Sequence, residues 1–215
     1  MANISYVNGL YCNIQDAKIN INDRGYHFGD AVYEVILYNK GIFYDYDGHI
    51  KRLFNSLKLI NIKFHLSDQQ LKIIIKNLFR LNRVNFGSIY IQVSRGIADR
   101  NHSYFNLHSK PVLTMIVSKK KNNICEDIKG VKAITLVDNR WSRPDIKTTQ
   151  LLPNVLAKTF ANEKNAYEGI FIDNEGYITE GSSCNIWIIN NNIEINNGEV
   201  GKTSIKLRNL YFKNF

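Results

Sequence analysis

Asp23-Arg24-Gly25-Tyr26-His27-Phe28-Gly29-Asp30-Ala31-Val32-Tyr33-Glu34 leads out of a polar stretch into a strand. Residues 31–38 are rich in Val, Ile and Tyr, side chains that suit a pleated surface. Asn39-Lys40-Gly41 and then Ile42-Phe43-Tyr44 follow, which reads as a hairpin. Upstream, Ser5-Tyr6-Val7 and Leu10-Tyr11-Cys12 flank Asn8-Gly9, a two-residue hairpin signal. Downstream the period changes. Ile50, Leu53, Phe54, Leu57 and Ile60 recur at helical spacing, and Ser67-Asp68 opens a second helix reaching about Leu81. Residues 87–94 and 112–117 return to strand. Strands and helices in this order predict an α+β domain over 1–118.

A polar segment over 119–128 reads as a linker, and 129–215 as a second domain. In that domain a strand over 131–137 precedes a helix over about 152–164, with Pro153 tolerated in its first turn. Hairpins are expected around Asp173-Asn174-Glu175-Gly176 and Asn190-Asn191-Asn192, and a short helix at the end of the chain.

The 215 residues are 44% hydrophobic and 22% charged, an ordinary globular composition with enough apolar material for a sizeable core. The formal net charge is +9, which raises the question of nucleic acid. The basic residues are spread along the chain, the one dense run being Lys119-Lys120-Lys121, and no nucleic-acid-binding motif accompanies them. A solvated basic surface is the reading, with no nucleic-acid or membrane partner. Residues 1–10 show neither a basic start nor an apolar stretch, and no apolar run approaches membrane length, so a cytoplasmic protein is expected. Cys12, Cys125 and Cys184 are few, odd in number and widely spaced, so neither a disulfide framework nor a metal site is expected.

Taken singly, the chemically capable residues are bland. Lys147 in Asp145-Ile146-Lys147 could be a solvated loop lysine, Glu180 before Gly181-Ser182-Ser183 a plain turn, and Arg100 and His102 loop residues. Their combination is informative. The stretch 23–34 resembles the N-terminal signature of the class IV (fold-type IV) aminotransferases, which depend on pyridoxal 5'-phosphate. His49-Ile50-Lys51-Arg52-Leu53 is similar to that family's next motif. Asp145-Ile146-Lys147 with 151–158 resembles its lysine segment, and Thr179-Glu180-Gly181-Ser182-Ser183-Cys184-Asn185 its cofactor loop. The four motifs come in family order and span about residues 5–195.

The resemblance implies a two-domain fold of the D-amino acid aminotransferase type, and it implies roles. Lys147 would bond the cofactor's aldehyde and act in proton transfer. Glu180 would pair with the pyridine nitrogen and keep it protonated. Arg52 would grip the phosphate through its planar fork, with donors from Ser182, Ser183 and Cys184 nearby. Arg95-Gly96-Ile97-Ala98-Asp99-Arg100-Asn101-His102 resembles the loop of the D-amino acid aminotransferase group. There it reaches the partner subunit of a homodimer, and Tyr33, Arg100 and His102 would trap the substrate α-carboxylate. The implied reaction moves an amino group between a D-amino acid, of the D-alanine or D-glutamate type, and a 2-oxo acid. Branched-chain aminotransferases and aminodeoxychorismate lyases share the scaffold and are the alternatives; they usually lack the Arg-x-His pair.

After Ile195 the resemblance jumps. Residues 197–202 look like the segment before the family's last helix, so an internal deletion is expected, with a truncated second domain. The absent region holds two phosphate-contacting elements in relatives. Each charge-assisted hydrogen bond is worth about 1.5–3 kcal/mol, so two or three would account for roughly 3–9 kcal/mol of cofactor binding. A catalytically impaired remnant is therefore a further reading.

Overall fold

A computed structural model of the chain describes residues 3–120, 130–190 and 193–196. The linker expected over 119–128 falls mostly outside these residues, as do Cys125, the 197–202 segment and the closing helix. The chain divides into two compact units. The first is Met1–Asn123 with Ile146–Gln150; the second is Ile124–Asp145 with Leu151–Phe215. The lysine segment, read from sequence as part of 129–215, is thus grouped with the first unit.

The first unit is an antiparallel sheet carrying two helices. Its strands are β1 (Ile4–Val7), β2 (Leu10–Asn13), β3 (Ala31–Asn39), β4 (Ile42–Phe43), β5 (Phe86–Ser94) and β6 (Val112–Lys119), in the order β2-β1-β6-β5-β3-β4. Both expected hairpin turns form. Asn8 and Gly9 have φ of 46° and 97°, and Lys40 and Gly41 have 44° and 97°, the left-handed pair that a two-residue turn between twisted strands needs. The main helices are α2 (Tyr46–Leu59) and α3 (Asp68–Leu81), and a five-residue helix, α1 (Arg24–Phe28), precedes β3. Ser67 and Gln70 close a reciprocal capping box at the start of α3. Helix α2 begins ahead of its apolar period, because Asp45 turns left-handed and Gly48 leaves room for its carboxylate: a Cβ there would lie 2.6 Å from either oxygen.

Val32 and Ile36 of β3 pack with Leu53, Leu57, Leu71, Ile75 and Leu78 of the two helices in one continuous core, to which Ile146 also belongs. Each such side chain contributes about 1.5–3 kcal/mol by leaving water.

In the second unit, β7 (Ala133–Val137) and β8 (Glu168–Ile172) pair in parallel, with α4 (Leu152–Glu163) on the crossover, and β9 (Ile178–Gly181) joins β8 antiparallel. The strands β10 (Trp187–Asn190) and β11 (Ile193–Asn196) form a separate hairpin. Residues 184–186 lie ahead of β10 and outside any strand. No described helix is long and apolar enough to cross a membrane.

Candidate active site

Strand β4 is two residues long and pairs only with Tyr38 and Asn39, so the first half of β3 is covered on that edge by another segment. The segment is 147–149. Tyr33 N donates to Lys147 O at 3.0 Å, Thr149 N donates to Ala31 O at 3.1 Å, and Thr148 bridges Val32. The Lys147 amide also donates to Ser56 Oγ at 3.2 Å, and Ile146 beside it is buried. The backbone of the lysine is therefore pinned to strand and helix. Its Nζ lies 4.6 Å from the centre of the Tyr33 ring, and Tyr33 stacks on Tyr90 at 5.5 Å. Burial, and then the neighbouring Tyr33, pushes the Tyr90 phenol up to about 12.

Alternation places Glu34 between Val32 and Ile36 on the core side of β3, where its carboxylate is fully buried. Arg52 Nε donates to Oε1 at 2.6 Å and Nη2 to Oε2 at 2.8 Å, while His49 Nδ1 stands 2.8 Å from Oε2. Burial alone would raise the Glu34 pKa. The hydrogen bonds from Arg52 and His49 and the nearby positive charge outweigh it, so the group is held below the usual carboxylate range. Glu34 was not singled out by sequence reasoning. The signal was available: an acid at a core-facing strand position, and a His and an Arg three residues apart on one helix face.

Arg100 and His102 meet at one aromatic side chain. The Arg100 guanidinium is 5.4 Å from the Phe28 ring centre and the His102 ring 5.3 Å. Tyr33, Arg52, Lys147, Arg100 and His102 thus all belong to the first unit. A cleft of about 1050 Å³ in the same unit, among whose lining residues are Tyr6, Phe64, Tyr104 and Leu113, includes none of the five.

The second unit carries the remaining candidates. Glu180 is ion-paired with Arg140 Nη1, and Arg140 Nη2 donates to Asp138 Oδ2 at 2.8 Å. Burial disfavours the charged Arg140, but hydrogen bonds to Asp138 and Glu180 outweigh this and raise its pKa. Asp138 is the mirror case: burial opposes its charge, and Arg140 and Thr179 lower it. The loop after β9 is organised by Glu168. Ser182 Oγ donates to Oε1, Ser183 Oγ to Oε2 at 2.6 Å, Gly169 N to Oε1 at 2.9 Å, and Lys158 Nζ to Oε2 at 3.2 Å. Against its desolvation, these donors, led by Ser182 and Ser183, bring Glu168 down to about 2. Cys184 lies beside them. Burial, then the Glu168 charge, pushes its thiol up to about 11. Sequence reasoning missed Arg140, Asp138 and Glu168; Arg140 and Asp138 are two residues apart, but their contacts to Thr179 and Glu180 span 39–41 residues and those of Glu168 to Ser182 and Ser183 span 14–15, beyond any local pattern.

The hydroxyls of Ser182 and Ser183, expected from sequence near a phosphate, are turned to Glu168. Backbone bonds set the loop further. Ser182 N donates to Gly169 O at 2.8 Å, and Asn154 Nδ2 donates to Ser182 O at 3.0 Å.

Residues 31–195 match the amino-transferase class IV family, a span that holds every candidate site residue named above. The chain is similar to the D-alanine aminotransferase of Bacillus licheniformis, 40% identical over 186 residues, covering 86% of this chain and 65% of that protein's length. In fold it is similar to the Escherichia coli branched-chain amino acid aminotransferase (TM-score 0.78, 20% identity, 90% of this chain and 67% of that one). It is also similar to the PLP-bound form of a hypothetical aminotransferase from Mycobacterium tuberculosis (TM-score 0.73, 21% identity, 88% and 68%).

Proposed function

The chain belongs to the class IV aminotransferases, and from that premise we propose that it transfers amino groups between D-amino acids and 2-oxo acids with pyridoxal 5'-phosphate as cofactor. One observation carries the reading: the lysine of the family motif is fixed at the edge of β3 over Tyr33, in the unit that also holds the Glu34-oriented Arg52.

The donor set suits the cofactor. Lys147 would offer an amine and Arg52 a planar fork for the phosphate, both in the first unit, and Glu180, in the second unit, a carboxylate for the ring nitrogen. The cofactor would supply an electron sink for the substrate's α-carbon. Lys147 Nζ would hold it and would carry the α-proton. Glu34 takes two donors of Arg52 and so fixes the plane of the guanidinium before any anion arrives. Arg140 fixes the carboxylate of Glu180. Tyr33, Arg100 and His102 bind the substrate α-carboxylate, and because the loop of Arg100 serves the partner's site in the D-amino acid group, the working form is a cytoplasmic homodimer. The 40% identity to a D-alanine aminotransferase and the Arg-x-His pair favour D-amino acids over branched-chain substrates, since the likeness to the Escherichia coli branched-chain enzyme, at 20% identity, concerns the fold.

A coupled assay with D-alanine and 2-oxoglutarate tests the reading. D-alanine should be used in preference to L-alanine or L-leucine, and Arg100→Ala should lower kcat/KM by about 10- to 100-fold, the value of one charge-assisted contact. Equal rates with L-leucine and D-alanine would remove the D-specific assignment.

A second reading is a catalytically impaired form of the same enzyme. It is supported by the commitment of the Ser182 and Ser183 hydroxyls to Glu168. Under it, pyridoxal without phosphate competes nearly as well as the phosphorylated cofactor for the 215-residue chain. A large advantage for the phosphorylated form would reject it.

A further inference from the structure

We propose that Arg24 and Asp30 are positioning residues for carboxylate recognition: as a buried pair they hold the backbone of Asn101 and His102 and so set where the Arg100 and His102 side chains stand. The inference rests on the reading of Arg100 and His102 given above.

Arg24 has a side chain only 4% exposed. A guanidinium so placed is costly unless its donors are met, and three of them are. Nε donates to Asp30 Oδ2 at 2.8 Å, Nη1 to Asn101 O, and Nη2 to His102 O at 3.0 Å. Two neighbouring carbonyls are thus held by one planar fork, a geometry that a lysine ammonium cannot reproduce. Asp30 is itself anchored. Arg95 donates to it through Nε at 2.7 Å and Nη2 at 2.9 Å, and also donates to Ile60 O at 2.7 Å and Asn61 O at 3.1 Å at the end of α2. A continuous chain of charge-assisted bonds therefore runs from α2 to the 101–102 backbone.

The clamped segment needs such support. Residues 99–106 are all exposed, and the bonds within 99–103 are short-range turns, Asn101 N to Asp99 O at 2.8 Å and Ser103 N to Asn101 Oδ1 at 3.0 Å. Tyr104, further on, is held separately, with the Arg95 guanidinium 3.8 Å from its ring centre. A segment with as little burial as 99–103 opens locally at small cost. Phe28, at the end of the same short helix as Arg24, completes the seat. The Arg24 guanidinium stands 4.8 Å from its ring centre, with Arg100 and His102 around the same ring. Two side chains that must meet one carboxylate gain affinity when their relative position is set before binding. The Asp-Arg-Gly and Gly-Asp pieces of the 23–34 signature then serve the carboxylate trap without touching the substrate.

Amide hydrogen exchange on the 215-residue chain tests this, comparing wild type with Arg24→Gln and Arg24→Lys. Exchange across 99–103 should be at least about tenfold faster in Arg24→Gln and intermediate in Arg24→Lys, with β3 and β5 unchanged. Wild-type exchange of that segment in both variants would overturn the clamp. Should Arg24→Gln loosen the sheet as well, Arg24→Lys, which keeps a positive charge beside Asp30, decides the matter. D-alanine binding, with Arg100→Ala as reference, supplies the second arm. Weakening in Arg24→Lys comparable to that in Arg100→Ala supports the positioning role. Unchanged affinity in Arg24→Lys alongside weakening in Arg100→Ala overturns it. If Arg100→Ala also binds D-alanine as wild type does, the carboxylate reading of the loop falls and the positioning role with it, a failure told apart from loss of the clamp because exchange in 99–103 still responds to Arg24.

Discussion

Glu34 in the first unit and Glu168 in the second are both buried carboxylates held below the ordinary range, but the donors around them differ in kind. Glu34 is met by a guanidinium and an imidazole, reaching across from α2 to a core position of β3. Glu168 is met by two serine hydroxyls and a backbone amide, with Lys158 at its margin. The first arrangement orients a cation. The second gathers a loop, and occupies hydroxyls that would otherwise be offered to a ligand. One buried carboxylate thus organises a cation on a neighbouring helix, the other mainly the hydroxyls of the loop that follows β9.

The largest effect is expected at the first carboxylate. Arg52→Ala leaves a fully buried acid with His49 as its remaining side-chain hydrogen-bond partner. Breaking a buried ion pair costs about 3–5 kcal/mol, and since the Arg52 side chain is itself 38% exposed a loss nearer to about 2–3 kcal/mol is expected in urea unfolding. Adding Glu34→Gln should return much of that loss, because the uncompensated charge goes. A double variant no more stable than Arg52→Ala would show that the arginine acts on stability by some route other than this acid. Loss of cofactor binding in Arg52→Ala alone would accordingly not separate phosphate recognition from folding.

The second carboxylate sharpens the comparison through pH. Its folded pKa of about 2 lies below the ordinary 4.5, so the stabilisation is fully present above about 4.5 and is lost as pH falls toward 2. The second unit should lose stability over that interval, and Glu168→Gln should flatten the dependence. An unchanged acid profile in the variant would mean that other groups govern it. A smaller effect is expected at Cys184. With its thiol near 11, about one molecule in a thousand is thiolate at a pH of about 8, so alkylation should be slow despite the residue's exposure. Glu168→Gln removes the nearby negative charge and should speed the reaction several-fold; slower alkylation in the variant would contradict the electrostatic cause.

How much was legible in the sequence divides along the same line. The first unit's hairpins and helices followed from local signals, Asn8-Gly9 and Ser67-Asp68 among them, because turn and cap chemistry acts over about two to four residues. The site residues were legible only as motifs. What spacing could not supply was their support. Lys147 pairs with a strand far earlier in the chain, Arg24 holds carbonyls at 101 and 102, and Glu180 meets Arg140 across a sheet. Each of these bonds depends on long-range placement, which no local pattern fixes. Helix α1 was missed because five residues carry no apolar period; its ends are set instead by the Asp23 side chain and by Gly29 at φ 63°.

Lys147, pinned to the edge of β3, is the residue proposed to hold the cofactor. The direct measurement is to incubate the 215-residue chain with pyridoxal 5'-phosphate, reduce with borohydride and map the labelled peptide by mass spectrometry. The account predicts a phosphopyridoxyl label on Lys147, and none in Lys147→Ala. A label on another lysine with Lys147 unmodified would contradict it.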